Sequence, residues 1–215
     1  MFIRRKFNLK QLLFNENNKV FSLLTKVGDL MILNFIFLCT CIPIITIGSA
    51  ISAMYYVTLK SSKNEESYIL KSYFACFKSN RKQGIIIWII LLCMIVICLL
   101  DYQYYVKVSS NFNLGISFLI GCFALIVAII FSYSFVLLAK FNNTIKKTVY
   151  NSVLIGFGRF PWTILVILIN VVPIVCMLVD VYAIIYVVPI YLIIGFAFTA
   201  YINSFIFNLV FRKYC

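Results

Sequence analysis

The sequence predicts an all-α fold, a polytopic transmembrane bundle of six spans, or alternatively five, arranged as hairpins. The first observation is the composition of the 215-residue chain, 64% hydrophobic and 12% charged, with a mean hydropathy of +1.04. A soluble domain carries about 25% charged residues, so this chain has too few polar side chains to cover a water-facing surface. The second observation is a series of long apolar runs. The third is that the basic residues lie almost entirely between those runs, as the positive-inside rule expects.

The same composition narrows the function classes. The chain has no histidine and only six acidic residues, which removes histidine-dependent catalysis and histidine zinc sites. We therefore expect a non-enzymatic protein without a cofactor or bound metal. The formal charge of +13 is interpreted as positive-inside topology and attraction to anionic headgroups rather than nucleic-acid binding.

The chain divides into segments of one membrane domain. Residues 1–18 are basic with interspersed apolar residues, which predicts a segment lying on the membrane surface. Residues 19–60 form the first hairpin, broken at Pro43 and Gly48. An amphipathic connector (61–83), a second hairpin (84–139), another amphipathic connector (140–159) and a third hairpin (160–215) follow. We expect Pro161 to begin a helix and Pro173 to kink it.

The basic residues decide between six spans and five. If residues 19–60 cross the membrane twice, as a hairpin that turns at Pro43–Gly48, eighteen of the nineteen basic residues face the cytoplasm and only Lys107 faces the other side. Both termini are then cytoplasmic. A single crossing would leave the six basic residues of the N-terminal part outside. In the five-span alternative, residues 49–60 are re-entrant or interfacial, because this stretch is short for a crossing of about 20 residues.

The two connectors carry the first set of candidate residues. Their basic side chains are candidates for contact with anionic lipid or with a partner protein: Lys71, Lys78, Arg81, Lys82, Lys146, Lys147 and Arg159. Lipid-surface anchoring explains the same pattern without any partner.

Small and polar residues within the apolar runs form the second set. Small residues spaced by four let helices approach closely in lipid. The helix-packing candidates are Gly48, Ser49, Ser52, Ala53, Gly195, Thr199 and Asn203, and the last three also fit a docking face. Asp29, Asn34 and Asn170 are intramembrane polar residues, which need hydrogen-bonding partners. Structural hydrogen bonds between helices explain the asparagines better than substrate contact does.

Three stretches, VGDLMILN (27–34), PIITIGSA (43–50) and YFACFKSNRKQ (73–83), resemble the YesL-like family of bacterial integral membrane proteins. That family has no known biochemical function, and its members are often encoded near carbohydrate importers. The resemblance implies a multi-pass protein of the bacterial plasma membrane, with a role linked to carbohydrate transport. An accessory subunit contacting the permease subunits of a sugar ABC importer is the expectation, and a small stand-alone transporter or channel is the alternative.

Overall fold

The computed structural model describes residues 19–65, 68–108, 114–141 and 143–212, and all regular secondary structure in them is helical. The predicted surface segment over residues 1–18 lies outside the described residues. The helices are α1 (Lys19–Cys41), a 3-10 turn (Ile44–Thr46), α2 (Ile47–Ser61), α3 (Ile69–Val108), α4 (Leu114–Lys140), α5 (Ile145–Gly158), α6 (Phe160–Val179), α7 (Val181–Ile190), a π-helical turn (Tyr191–Gly195) and α8 (Phe196–Phe211). The prediction of an all-α helical bundle is confirmed.

Five helical stretches in this part of the chain are long and apolar enough to cross a membrane: Ser22–Cys41, Ile69–Tyr105, Gly115–Lys140, Phe160–Val179 and Tyr182–Phe211. Helix α2 is not one of them. Its 15 residues rise about 22 Å at 1.5 Å per residue, less than the roughly 30 Å of a hydrocarbon core. The chain is therefore a helical membrane protein with five candidate spans and one shorter helix.

Helices α1 and α2 form a hairpin that reverses at Pro43, where a helical N–H is missing. The Thr46 hydroxyl holds the turn by donating to the Thr40 carbonyl oxygen at 2.7 Å. At the other end, Lys26 Nζ donates to Asn64 Oδ1 at 2.8 Å, which links α1 to the turn after α2. The N-terminal part of α1 and the C-terminal end of α2 consequently lie at the same end of the bundle.

The first predicted connector is not a separate element. From Ile69 it continues into the second hairpin as the 40-residue α3, about 60 Å long. Gly84, inside this helix, does not break it, because a backbone of α2 packs directly on it. The second connector stays separate, since Arg159 leaves the helical conformation (φ −126°, ψ 41°) and Pro161 follows in the first turn of α6.

The turn between α6 and α7, which the sequence locates only approximately, is at Asp180. Its carboxylate accepts a hydrogen bond from the Tyr182 backbone N–H at 2.9 Å. This is an N-cap, which satisfies a backbone donor that has no partner in the first turn of a helix.

Burial divides the bundle into two ends. We call the end with Ser61, Lys140 and Phe211 the packed end, because Asn208 of α8 donates to Ser62 Oγ at 2.7 Å and Lys140 Nζ lies 4.7 Å from the centre of the Phe211 ring. The open end has the α3–α4 and α6–α7 connections. Among the described side chains, the first buried one of α4 is Val127 and the last buried one of α3 is Leu91. The helices are thus held in close contact at the packed end and bury fewer side chains at the open end.

Candidate functional site

Asn34 is a fully buried polar residue on α1 that binds the backbone of the last helix. Its Nδ2 donates to the carbonyl oxygens of Tyr191 (3.1 Å) and Leu192 (2.8 Å), and its Oδ1 accepts from the Ala197 N–H at 3.0 Å. These groups belong to the π-helical turn and the start of α8, where hydrogen bonding departs from the α-helical pattern. One amide side chain therefore satisfies three backbone groups at an irregular point of a membrane helix, where no water can do so.

The small residues of α2 lie in a close helix–helix contact. Gly48, Ser49, Ser52 and Ala53 are all buried. A Cβ at Gly48 would collide with the Gly84 carbonyl oxygen of α3, and a Cβ at Gly84 would come within 2.8 Å of the Ser49 backbone. The two backbones touch here because both helices present glycine.

Asn80 of α3 extends this contact to α4. Its Nδ2 donates to the Leu138 carbonyl oxygen at 3.0 Å and lies 3.4 Å from Ser52 Oγ. The side chain of this one residue of α3 thus contacts both α2 and α4 near the packed end.

A cavity of about 490 Å³ lies between the helices, on the open-end side of these contacts. Its walls come from α1, α2, α3, α4, α6, α7, the π-helical turn and α8. Most of the lining is apolar, and no lining residue is charged. The size is typical of small-molecule sites, roughly 300–1,000 Å³.

A few polar side chains line the cavity: Tyr55, Trp88, Ser132, Asn170, Tyr191 and Thr199. Ser132 donates its proton to the Ala128 carbonyl oxygen at 2.8 Å, and Thr199 donates its own to the Phe196 carbonyl oxygen at 2.9 Å. Their oxygen atoms keep lone pairs that can accept further hydrogen bonds. The indole N–H of Trp88 is buried without an acceptor among the described residues.

A second cavity of about 340 Å³ adjoins the first, and Phe131, Ser132, Asn170 and Ile174 line both. It extends toward the open end along α3, α4 and α6, past Leu99 and Ala124. The hydroxyl group of Ser132 and the amide group of Asn170 thus border both cavities.

Two of the asparagines predicted from sequence, Asn170 and Asn203, meet between α6 and α8. Asn170 of α6 donates to the Val166 carbonyl oxygen at 2.7 Å and accepts from Asn203 of α8 at 3.3 Å. Asn203 is fully buried, and Thr199, one turn away, borders the cavity. Gly195 is buried in the π-helical turn, where a Cβ would meet the Tyr191 ring at 2.7 Å. Asp29 is distant from this group and half-buried on α1.

The basic candidates lie at the packed end and not at the cavity. The described side chains of Lys71, Lys78, Arg81, Lys82, Lys146 and Lys147 are all exposed. Arg159 is half-buried, and its carbonyl oxygen accepts from the Thr163 hydroxyl at 3.2 Å.

Sequence analysis missed several residues of these contacts. Gly84 carries no local signal, because its role depends on which residue of α2 faces it. The pairs Tyr133–Thr163 (2.8 Å), Ser134–Ser152 (2.9 Å) and Thr58–Ser204 (2.8 Å) join different helices. Hydroxyl residues inside apolar runs are a usable signal for such contacts, but not for their partners.

No group of three or more His, Cys, Asp or Glu side chains among the described residues is placed to hold a metal ion. No curated protein and no solved structure matches the chain. Residues 30–102 match the profile of a family described as "Protein of unknown function, DUF624". The matched region contains Asn34, the α2–α3 glycine contact and Trp88, so the chain is similar to that family in the part that builds the centre of the bundle.

Proposed function

We propose that this protein is a non-enzymatic accessory or scaffold protein of a bacterial plasma membrane, associated with a carbohydrate ABC importer. The family resemblance of residues 27–83 motivates the link to carbohydrate uptake. The exposed basic residues of α3 and α5 at the packed end are the observation that supports a docking role.

We define the basic surface as Lys71, Lys78, Arg81 and Lys82 of α3 together with Lys146 and Lys147 of α5. One face of each of these helix segments packs inside the protein, while other apolar side chains of the same segments, such as Leu70, Phe74 and Tyr150, are exposed. Tyr73 and Cys76 of α3 are buried, as are Thr148 and Ser152 of α5. The basic side chains are therefore directed away from the bundle, and their charge remains available to an acidic partner or to anionic headgroups.

The position of the basic surface supports an orientation. Asn80 of α3 bonds to the end of α4, and α5 begins five residues after Lys140, so both basic segments lie at the packed end. Asp101 and Asp180 lie toward the open end. The positive-inside rule favours a cytoplasmic packed end, with both termini on that side.

Copurification tests the docking role. The tagged full-length protein is isolated from native membranes in mild detergent, beside Lys146→Glu/Lys147→Glu and the charge-preserving control Lys146→Arg/Lys147→Arg. We expect importer permease subunits to copurify with the wild type and the arginine control, and to be lost from the glutamate variant because like charges repel an acidic face. Recovery of the protein alone, together with sugar uptake unchanged by deletion of the gene, would contradict the proposal.

The second candidate is a small stand-alone transporter or channel, and the cavity between the hairpins is the observation that favours it. It predicts solute flux in proteoliposomes containing this protein alone. The uncharged and mostly apolar lining argues against a path for ions and gives few hydrogen bonds for a sugar. The accessory role accounts better for these features.

A further inference from the structure

We propose that the paired cavities form a binding site for one neutral lipid that carries a free hydroxyl group, such as a diacylglycerol or a long-chain alcohol. The inference is independent of the accessory role, since it concerns the middle and open end of the bundle rather than the basic surface. It is based on the charge, shape and hydrogen-bonding capacity of the lining.

The charge of the ligand follows from the lining. Neither cavity has a lysine, arginine, aspartate or glutamate in its wall. A phosphate or an ammonium group placed there would be desolvated without a counter-charge, which is strongly unfavourable in a low-dielectric site. The ligand is consequently uncharged.

The shape and surroundings indicate an apolar body. The two cavities share a wall at Phe131 and Ile174 and run together along α3, α4 and α6. These helices are among the candidate membrane spans, so the medium outside them is acyl chain rather than water. An elongated apolar space within the membrane fits a hydrocarbon chain and offers nothing to a free sugar in most of its length.

The hydrogen-bonding groups near the shared wall select a hydroxyl. The protons of Ser132 and Thr199 are engaged by carbonyl oxygens of their own helices. What these side chains can still offer is acceptor lone pairs. An uncharged ligand complements them by supplying a donor and complements the Trp88 N–H by supplying an acceptor. An alcohol O–H does both, and it is the donor that a neutral lipid carries. An ester or a plain hydrocarbon has none.

The two tryptophans of the chain provide a test. Trp88 lines the first cavity, whereas Trp162 packs against the core cluster and lines neither cavity. Trp162→Phe leaves Trp88 as the only indole fluorophore, and Trp88→Phe leaves Trp162. Both full-length variants are reconstituted into vesicles of dioleoylphosphatidylglycerol containing equal low mole fractions of chain-brominated diacylglycerol, or of the same brominated chains as phosphatidylcholine. Bromine quenches an indole that it contacts.

We expect brominated diacylglycerol to quench Trp88 more than brominated phosphatidylcholine does, and Trp162 to show no such preference. Adding Ser132→Ala and Thr199→Val together to the Trp162→Phe protein lowers the preference by about threefold, because the single hydroxyl proton of the ligand makes one hydrogen bond to these side chains. Phe118→Leu, on a side chain that is 71% exposed and lines neither cavity, is the matched control and leaves the preference unchanged.

Equal quenching of Trp88 by the two brominated lipids would overturn the proposal, because the cavity would then be in contact with bulk lipid only. So would an acetylated diacylglycerol that quenches as well as the free alcohol, since it has no hydroxyl to donate. Circular dichroism and a single gel-filtration peak establish that each variant is folded. The Trp162→Phe protein keeps the wild-type cavity lining. It therefore tests the proposal directly, even where the Ser132→Ala and Thr199→Val variants do not fold.

Discussion

The packed end and the open end of the bundle are built from the same helices but are held together differently. At the packed end, polar side chains join neighbouring helices, for example Asn80 to α4 and Asn208 to the turn after α2. At the open end, none of the described side chains is buried in α3 between residues 92 and 105 or in α4 between residues 115 and 126. Apolar side chains gain little by leaving lipid for a protein interior, so close backbone contact and hydrogen bonds, rather than hydrophobicity, hold membrane helices together. The end that has these features is closed, and the end with fewer of them leaves a cavity.

The largest effect is expected for Gly48→Leu in the close contact between α2 and α3. The new side chain collides with the Gly84 carbonyl oxygen and with Trp88 and Phe135, and overpacking against backbone costs about 3 kcal/mol or more. Thermal unfolding followed by gel filtration measures the loss. The control is Gly121→Leu on α4, where a Cβ meets nothing within 4 Å. Equal stability of the two variants would show that the α2–α3 contact is no more closely packed than the open end.

Asn34→Leu should have the next largest effect. It leaves the carbonyl oxygens of Tyr191 and Leu192 and the N–H of Ala197 without their side-chain partner. At roughly 0.6–1.7 kcal/mol per hydrogen bond in a membrane protein, the loss of three lowers the free energy of unfolding by about 2–5 kcal/mol. Denaturation in mixed detergent measures it. The neighbouring Phe35→Leu, at a side chain that is 69% exposed, is expected to be near neutral, and a similar loss in both variants would contradict the role of Asn34.

A smaller effect is expected for the hydroxyl pair between α2 and α8. Ser204 Oγ donates to Thr58 Oγ1 at 2.8 Å, and both side chains are buried. In a double-mutant cycle, Thr58→Val and Ser204→Ala should show a coupling energy of about 1 kcal/mol. Strict additivity of the two losses would mean that this contact does not stabilise the packed end.

The smallest effect is expected at the open end. Leu119 of α4 is 68% exposed, so Leu119→Ala exchanges one lipid-facing side chain for another and changes the free energy of unfolding by less than about 0.5 kcal/mol. Leu91→Ala, at a fully buried side chain of α3, is the comparison and should be clearly destabilising. The same denaturation assay distinguishes them, and a large loss for Leu119→Ala would mean that the open end is more closely packed than its exposure indicates.

Much of the fold was predictable from sequence, since apolar runs and helix breakers are local properties. The spans, the reversal near Pro43 and the helix beginning near Pro161 follow from residue types alone. The continuity of the first connector with α3 was not predictable, because Gly84 breaks or continues a helix according to what packs against it. The π-helical turn was missed for a similar reason: it is stabilised by Asn34, more than 150 residues away along the chain.

For the candidate site, the sequence identified individual polar residues but not their arrangement. Asn34, Asn170 and Asn203 stood out as polar groups in apolar runs, yet nothing local indicates that one satisfies a π-helical turn and the other two meet each other. Ser132 was not singled out, because a hydroxyl bonded to its own helix is the usual state of serine in a membrane helix.

By itself, the sequence determined that the apolar segments lie in lipid, that the fold is helical and that basic segments alternate with apolar ones. Hydropathy and charge are properties of single residues, so these conclusions do not depend on which helices are neighbours. Only the tertiary structure decided which end of the bundle closes, where the cavity lies and which side chains border it. Those outcomes depend on which backbones come close enough to touch and on which polar groups find partners on other helices, and distances between helices are not encoded in any single stretch of the chain.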